Sequence, residues 1–103
     1  MLSLQKNKKM NSTRVIKSIN DKLDKLPIHY YDELCIGLSN NIEKSIMYHK
    51  VNSWRTSETA DNYTDAKSIV EGFQKMGIRE SSEKVSDSTS HIFLFKVTPK
   101  TIL

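Results

Sequence analysis

The feature that most constrains the fold is a strand-like segment near the carboxyl end of the chain, at residues 91–98. It reads HIFLFKVT, and its aromatic and β-branched residues are typical of a β-strand. Because alternate side chains of a strand point to opposite faces, Ile92 and Leu94 share one face and the two phenylalanines share the other. A strand cannot satisfy its backbone hydrogen bonds alone, so the chain must contain at least one more strand.

The nearest candidate partner is the polar segment 78–85, which is compatible with an extended backbone. The residues between the two segments, 86–90, read SDSTS and have the chemistry of a turn. Pro99 ends the second strand because proline cannot donate a backbone hydrogen bond. The sequence therefore predicts an antiparallel β-hairpin over residues 79–97.

Three upstream segments show apolar residues at the three- and four-residue spacing of amphipathic helices. We predict helices over residues 13–26, 29–50 and 60–76. The second has the longest apolar stripe, formed by Tyr31, Leu34, Cys35, Leu38, Ile42, Ile46 and Met47. Gly77 suits the left-handed position that ends the third helix, which lets Ile78 fold back on Phe73.

The predicted fold class is α+β, with three α-helices followed by a C-terminal antiparallel β-hairpin. We expect residues 12–103 to form this single small domain, because a chain of this length builds one core and not two. Residues 1–11 show no apolar periodicity and are expected to form a flexible basic tail.

Residues 66–100 resemble the recognition-helix-plus-wing half of winged-helix regulators of the MarR type. The shared features are the end of the third helix, the turn Gly77-Ile78-Arg79 and the hairpin that follows it. The segment 95–100 (FKVTPK) is similar to the end of the wing in that family, and Asp87 stands where those wings often carry an aspartate. The resemblance covers about a third of the chain. It implies a winged-helix-like fold and a role in DNA binding and transcription regulation.

The positive charge of the chain is concentrated at its amino end. Residues 1–25 contain seven basic and two acidic residues, whereas the other 78 contain nine basic and ten acidic residues. A positive end on a near-neutral body favours binding to nucleic acid, although a solvated arm that aids solubility would show the same pattern. The candidate phosphate contacts are Lys6, Lys8, Lys9, Arg14 and Lys17, with Lys67, Lys75 and Arg79 as secondary contacts near the third helix.

A second hypothesis is a protein-interaction module, such as a phage or mobile-element factor that binds a host protein. The last strand is apolar on both faces, whereas the helices of the predicted fold cover one. If Ile92 and Leu94 are exposed, they form a strip that buries against a partner or a second copy of the chain. If the first helix covers this face instead, no such strip exists.

Other functions have little support in the sequence. It has no phosphate-binding glycine loop, no nucleophile elbow and no zinc spacing among its three histidines and single cysteine. Glu80, Glu83 and Asp87 are interpreted as charges that protect a strand edge, with an acid/base pair as the alternative. We therefore expect a non-enzymatic protein with no catalytic residues, metal, cofactor or small-molecule substrate. The lone Cys35, the absence of a long apolar run and the charged amino end predict a cytoplasmic protein that does not contact membranes.

Overall fold

A computed structural model describes residues 2–26 and 31–103, with side chains from residue 12 onward. It contains three α-helices and four β-strands in a mixed α and β arrangement. In chain order they are α1 (Leu2–Asp24), β1 (Leu34–Ser39), α2 (Ile42–Tyr48), β2 (Arg55–Thr59), α3 (Tyr63–Lys75), β3 (Arg79–Glu80) and β4 (His91–Lys96). A short 3-10 turn, Tyr31–Glu33, precedes β1.

The strands form one mixed sheet in the order β2-β4-β1-β3. β4 is antiparallel to both of its neighbours, and β3 runs parallel to β1. The strand predicted over residues 91–98 is confirmed, but the C-terminal hairpin is wrong. β3 does not pair with β4, because β1 occupies the position between them. The two-stranded wing required by the winged-helix resemblance is therefore not formed by these two segments.

The helix predicted over residues 29–50 is also wrong in its first half. Residues 34–39 (LCIGLS) form β1, and within the described residues 31–50 the α-helix is limited to residues 42–48. Leu34 and Ile36 contact one core cluster while Cys35 contacts another, so this segment is buried on both faces. A strand of that kind lacks the apolar–polar alternation that distinguishes strands from helices in a sequence.

The helix predicted over residues 60–76 is confirmed as α3, together with its ending. Gly77 has a φ of 112°, in the region that favours glycine. The N–H of Gly77 donates to the carbonyl of Gln74 at 3.0 Å, and that of Ile78 donates to the carbonyl of Phe73 at 3.4 Å. These two bonds define a Schellman motif, which turns the chain from α3 into β3.

The first helix is longer than the segment 13–26 predicted from its apolar spacing. Val15, Ile19 and Leu23 are buried as that spacing requires. The backbone helix begins at Leu2, however, so α1 runs through the residues interpreted as a tail. The flexibility of residues 1–11 stays a prediction, and Pro27, which was expected to stop the helix, lies outside the described residues.

Helices cover both faces of the sheet. α1 and α3 pack on the face that carries Ile92 and Leu94, and α2 and the C-terminal residues pack on the face that carries Phe93 and Phe95. Ile92 and Leu94 are each only 1% exposed. The strip that they were expected to present to a partner therefore does not exist, because α1 and α3 bury that face. These two residues belong to the core.

Candidate functional site

The clearest charged surface lies on one side of α1. We call it the basic stripe and define it as Arg14, Lys17, Lys22 and Lys25, which line a shallow depression of about 330 Å³ together with Ser18 and Asp21. Successive residues of the stripe are three to five positions apart, which places all four on one side of the helix. The buried residues of α1 occupy a different side, so the stripe faces outward.

The middle of the stripe is hydrogen-bonded to strand β2. The Lys22 ammonium donates hydrogen bonds to Glu58 Oε2 and Thr56 Oγ1, each at 2.7 Å, and Ser18 Oγ also donates to Glu58 Oε2 at 2.7 Å. Burial opposes ionisation of Glu58, but the hydrogen bonds from Lys22 and Ser18 and the positive charges of Lys22 and Arg14 outweigh it. The pKa of the Glu58 carboxyl therefore lies below its usual value. These contacts hold α1 against the sheet and neutralise much of the charge of Lys22.

The remaining charges of the stripe are accessible to a ligand. Lys17 donates to Asp21 at 2.8 Å, and this hydrogen bond raises the pKa of the lysine. The two side chains are 75% and 54% exposed, so this pair is weak and opens readily. In the described part of the chain, Arg14 and Lys25 have no ion-pair partner within 4 Å. The stripe thus presents three accessible cations against one carboxylate.

The structure separates the secondary candidates from this stripe. Lys67 lies over the Tyr63 ring at 5.9 Å and lines a groove beside β3, whereas the stripe adjoins β2. Because β2 and β3 are the opposite edges of the sheet, the two sites do not merge. Arg79 lies on β3, and its Nε donates to the Asp32 carbonyl at 2.7 Å.

The other predicted phosphate contacts also fall into two groups. Lys75 ends α3 and does not line the stripe. Lys6, Lys8 and Lys9 lie on the backbone of α1, upstream of the stripe, but their side chains are outside the described residues. Arg14 and Lys17 are therefore the predicted contacts that the structure brings together, and Lys22 and Lys25 are stripe residues that were not among the predicted contacts.

A second polar site, absent from the sequence-based candidates, is buried beneath α2. Its central residues are His49, 1% exposed, and Glu83, whose carboxylate Oε1 lies 3.1 Å from His49 Nε2. Ser45 Oγ donates to both Glu83 oxygens at 2.7 and 2.9 Å, and Ser39 Oγ lies 2.5 Å from Ser45 Oγ. Because the Ser45 hydroxyl proton is committed to Glu83, Ser39 is the donor in the last pair. A continuous hydrogen-bond chain thus satisfies these buried groups.

The His49 ring has an acceptor at each nitrogen. Nδ1 lies 2.6 Å from the carbonyl oxygen of Ile102 and therefore donates to it. Nε2 faces the Glu83 carboxylate and also Ser81 Oγ at 3.2 Å. Both ring nitrogens are therefore engaged in contacts within the fold. We interpret the network as a structural connection between α2, the segment after β3 and the C-terminal residues.

The network has no local sequence signature, because 34 residues separate His49 from Glu83. Glu83 was interpreted as an edge-protecting charge, but the structure gives it the buried partner His49 instead.

Cys35 has a structural role, as its position on an apolar stripe of the sequence indicates. Cys35 is fully buried, and burial raises the pKa of its thiol to about 12. A thiol of this kind is not a nucleophile near neutral pH.

Within residues 2–26 and 31–103, no three metal-ligating side chains come together. None of the helices described is both long and apolar enough to cross a membrane. Comparison of the chain with family models, with curated proteins and with solved structures gives no match.

Proposed function

We propose that the chain is a small, non-enzymatic nucleic-acid-binding protein of regulatory type whose basic stripe contacts the phosphate backbone. The observation that carries this proposal is the one-sided distribution of charge on α1. Arg14, Lys17 and Lys25 project from a helix whose opposite side is buried in the core. Cations on one side of a rigid helix can contact successive phosphates together, which isolated surface lysines do not.

The contacts of α1 with β2 support this role. The hydrogen bonds from Lys22 and Ser18 to Glu58 hold the helix in place, so binding does not have to order it. Lys6, Lys8 and Lys9 extend the basic composition of the same helix toward its amino end. Recognition by α3 is not part of the proposal, because Lys67 lines a groove beside β3, at the other edge of the sheet from the stripe. The expected binding is electrostatic and largely independent of nucleotide sequence.

A salt titration tests the proposal. The probe is a short fluorescein-labelled DNA duplex, and the measurement is its anisotropy between about 50 and 200 mM salt. If Lys6, Lys8, Lys9, Arg14, Lys17 and Lys25 neutralise about six phosphates, the plot of log K against log salt has a slope near −5.4, at roughly −0.9 per phosphate.

A matched pair of double variants locates the contacts. Replacing Arg14 and Lys17 with glutamine should make the slope less steep by about 1.8, because two phosphate contacts are lost. Replacing Lys67 and Lys75 with glutamine removes the same charge and should leave the slope unchanged. Equal effects of the two variants would indicate a response to net charge alone. Absence of binding at the lowest salt would refute the proposal and favour a solvated arm.

A further inference from the structure

A second surface, on the opposite face of the sheet from α1, carries exposed apolar side chains. We call it the α2 patch and define it as Lys44, Met47, Tyr48, Lys50, Lys100 and Ile102. Met47 is 77% exposed, Tyr48 50% and Ile102 44%. Met47 and Tyr48 lie three and four positions after Lys44, on one side of α2. The N–H of Ile102 donates to the His49 carbonyl at 2.7 Å, which places Ile102 beside the end of α2.

The patch is held in place by the buried network beneath it. The Tyr48 ring packs edge-on against His49, with centroids 4.7 Å apart and planes at 90°. His49 is in turn bonded to Ile102 and Glu83. Because these contacts restrict Tyr48 and Ile102 before any partner arrives, little side-chain entropy is lost on binding. Rigid tyrosine and adaptable methionine are the side chains that protein interfaces favour.

Lys50 occupies a strained position at the edge of the patch. Its φ is 52°, and it ends α2 at the place where glycine is the favoured residue. The N–H of Val51 donates to the Ile46 carbonyl at 3.0 Å and that of Lys50 to the Met47 carbonyl at 3.2 Å, which completes a Schellman motif. A lysine at a position where glycine is more stable suggests that its side chain is needed there.

The charges around the patch indicate the chemistry of its partner. Lys44, Lys50 and Lys100 are exposed, and Glu43 is the acidic residue beside them on α2. Two copies that met through this patch in a symmetric dimer would bring like charges together. We propose that the α2 patch docks an acidic amphipathic segment of another protein, with apolar side chains on Met47, Tyr48 and Ile102 and carboxylates on the lysines. This inference is independent of the nucleic-acid proposal, because it uses a different face.

A peptide titration tests this inference. The probe is a fluorescein-labelled amphipathic helical peptide with leucine at positions i, i+3, i+4 and i+7 and glutamate elsewhere. Its twin carries lysine in place of every glutamate. We expect the acidic peptide to bind at least about tenfold more tightly than the basic twin. Met47→Ser should weaken binding by about fivefold or more, since it removes an apolar contact from the centre of the patch.

The matched control is Met76→Ser, which changes another exposed methionine, at the end of α3. It should alter the affinity by less than about twofold. Both positions are exposed, so circular dichroism should show both variants folded. Equal binding of the two peptides, equal effects of the two variants, or no binding by the acidic peptide would overturn the inference. So would a dimer, detected by sedimentation, that Met47→Ser dissociates, or duplex binding that Met47→Ser abolishes.

Discussion

Replacing Gly37 with alanine tests whether residues 34–39 form a strand. The substitution should destabilise the protein if they form β1 and stabilise it if they form a helix. A Cβ atom at this position would lie 2.4 Å from the Cβ of Ser81, whereas carbon atoms pack at about 3.5–4.0 Å. The segment after β3 must therefore move by about 1 Å or more, which weakens the 3.0 Å bond from the Ser81 N–H to the Ile36 carbonyl. Overpacking costs about 1–3 kcal/mol, and a lost hydrogen bond costs about 1 kcal/mol. We expect Gly37→Ala to lower the free energy of unfolding by about 2–4 kcal/mol.

The same substitution in a helix would have the opposite sign, because alanine is about 1 kcal/mol more favourable there than glycine. Gly72 provides the control, since it lies in α3 and a Cβ atom there would meet nothing within 4 Å. Gly72→Ala should raise the free energy of unfolding by about 0.5–1 kcal/mol. Urea denaturation followed by far-ultraviolet circular dichroism measures both variants. If Gly37→Ala is neutral or stabilising, residues 34–39 are not packed against Ser81 as described.

Three further predictions concern single side chains. Cys35 should resist alkylation in the folded protein at pH 8 and react once urea unfolds it. Rapid labelling of the native state would contradict its burial and its pKa of about 12. Lys50→Gly should raise the free energy of unfolding by about 1 kcal/mol in the same urea assay, because glycine adopts a positive φ without strain. A loss of stability would show that the lysine side chain supports the fold. Because the pKa of Glu58 is lower in the folded state, its contribution to stability is present above the usual value of 4.5 and is lost as the pH falls through the folded-state pKa. Glu58→Gln should therefore flatten the fall in stability between neutral and acidic pH, and an unchanged profile would mean that the bonds from Lys22 and Ser18 contribute little.

The two helices that were predicted well from the sequence, α1 and α3, each have a single buried side. Val15, Ile19 and Leu23 mark α1 because only one side of that helix enters the core. α3 shows the same pattern, and Gly77 adds a local ending signal that needs no tertiary contact. In both cases the pattern arises from neighbours three or four positions apart, so it is present in any window of the sequence.

The topology was mispredicted because it depends on contacts between distant residues. β1 is apolar on both faces and lies between two stretches with helical spacing, so its sequence does not distinguish a strand from a helix. The partner of β4 was assigned to the nearest polar segment, whereas the structure pairs Phe95 with Cys35 and with Arg55. Because β1 pairs with β4 in the plane of the sheet, α1 and α3 can pack on the face that carries Ile92 and Leu94.

In the candidate sites, too, the sequence predicted local features and missed contacts between distant residues. The basic composition of α1 is a local property, so the sequence identified Arg14 and Lys17. It did not identify the neutralisation of Lys22, because Glu58 lies 36 residues further along the chain. The separation of Lys67 from the stripe was also missed, since it follows from the order of the strands, which puts Lys67 beside β3 and the stripe beside β2.

The most direct test of the central claim is an amide NMR titration of the intact protein with a short DNA duplex. The proposal predicts that chemical-shift changes concentrate at residues 6–25 of α1 and at their neighbours on β2, Thr56 and Glu58. The amides of Lys67, Lys75 and Arg79 should remain unchanged. Changes centred on α3 and β3, or no changes in α1 under conditions where the duplex binds, would contradict the assignment of nucleic-acid binding to this helix.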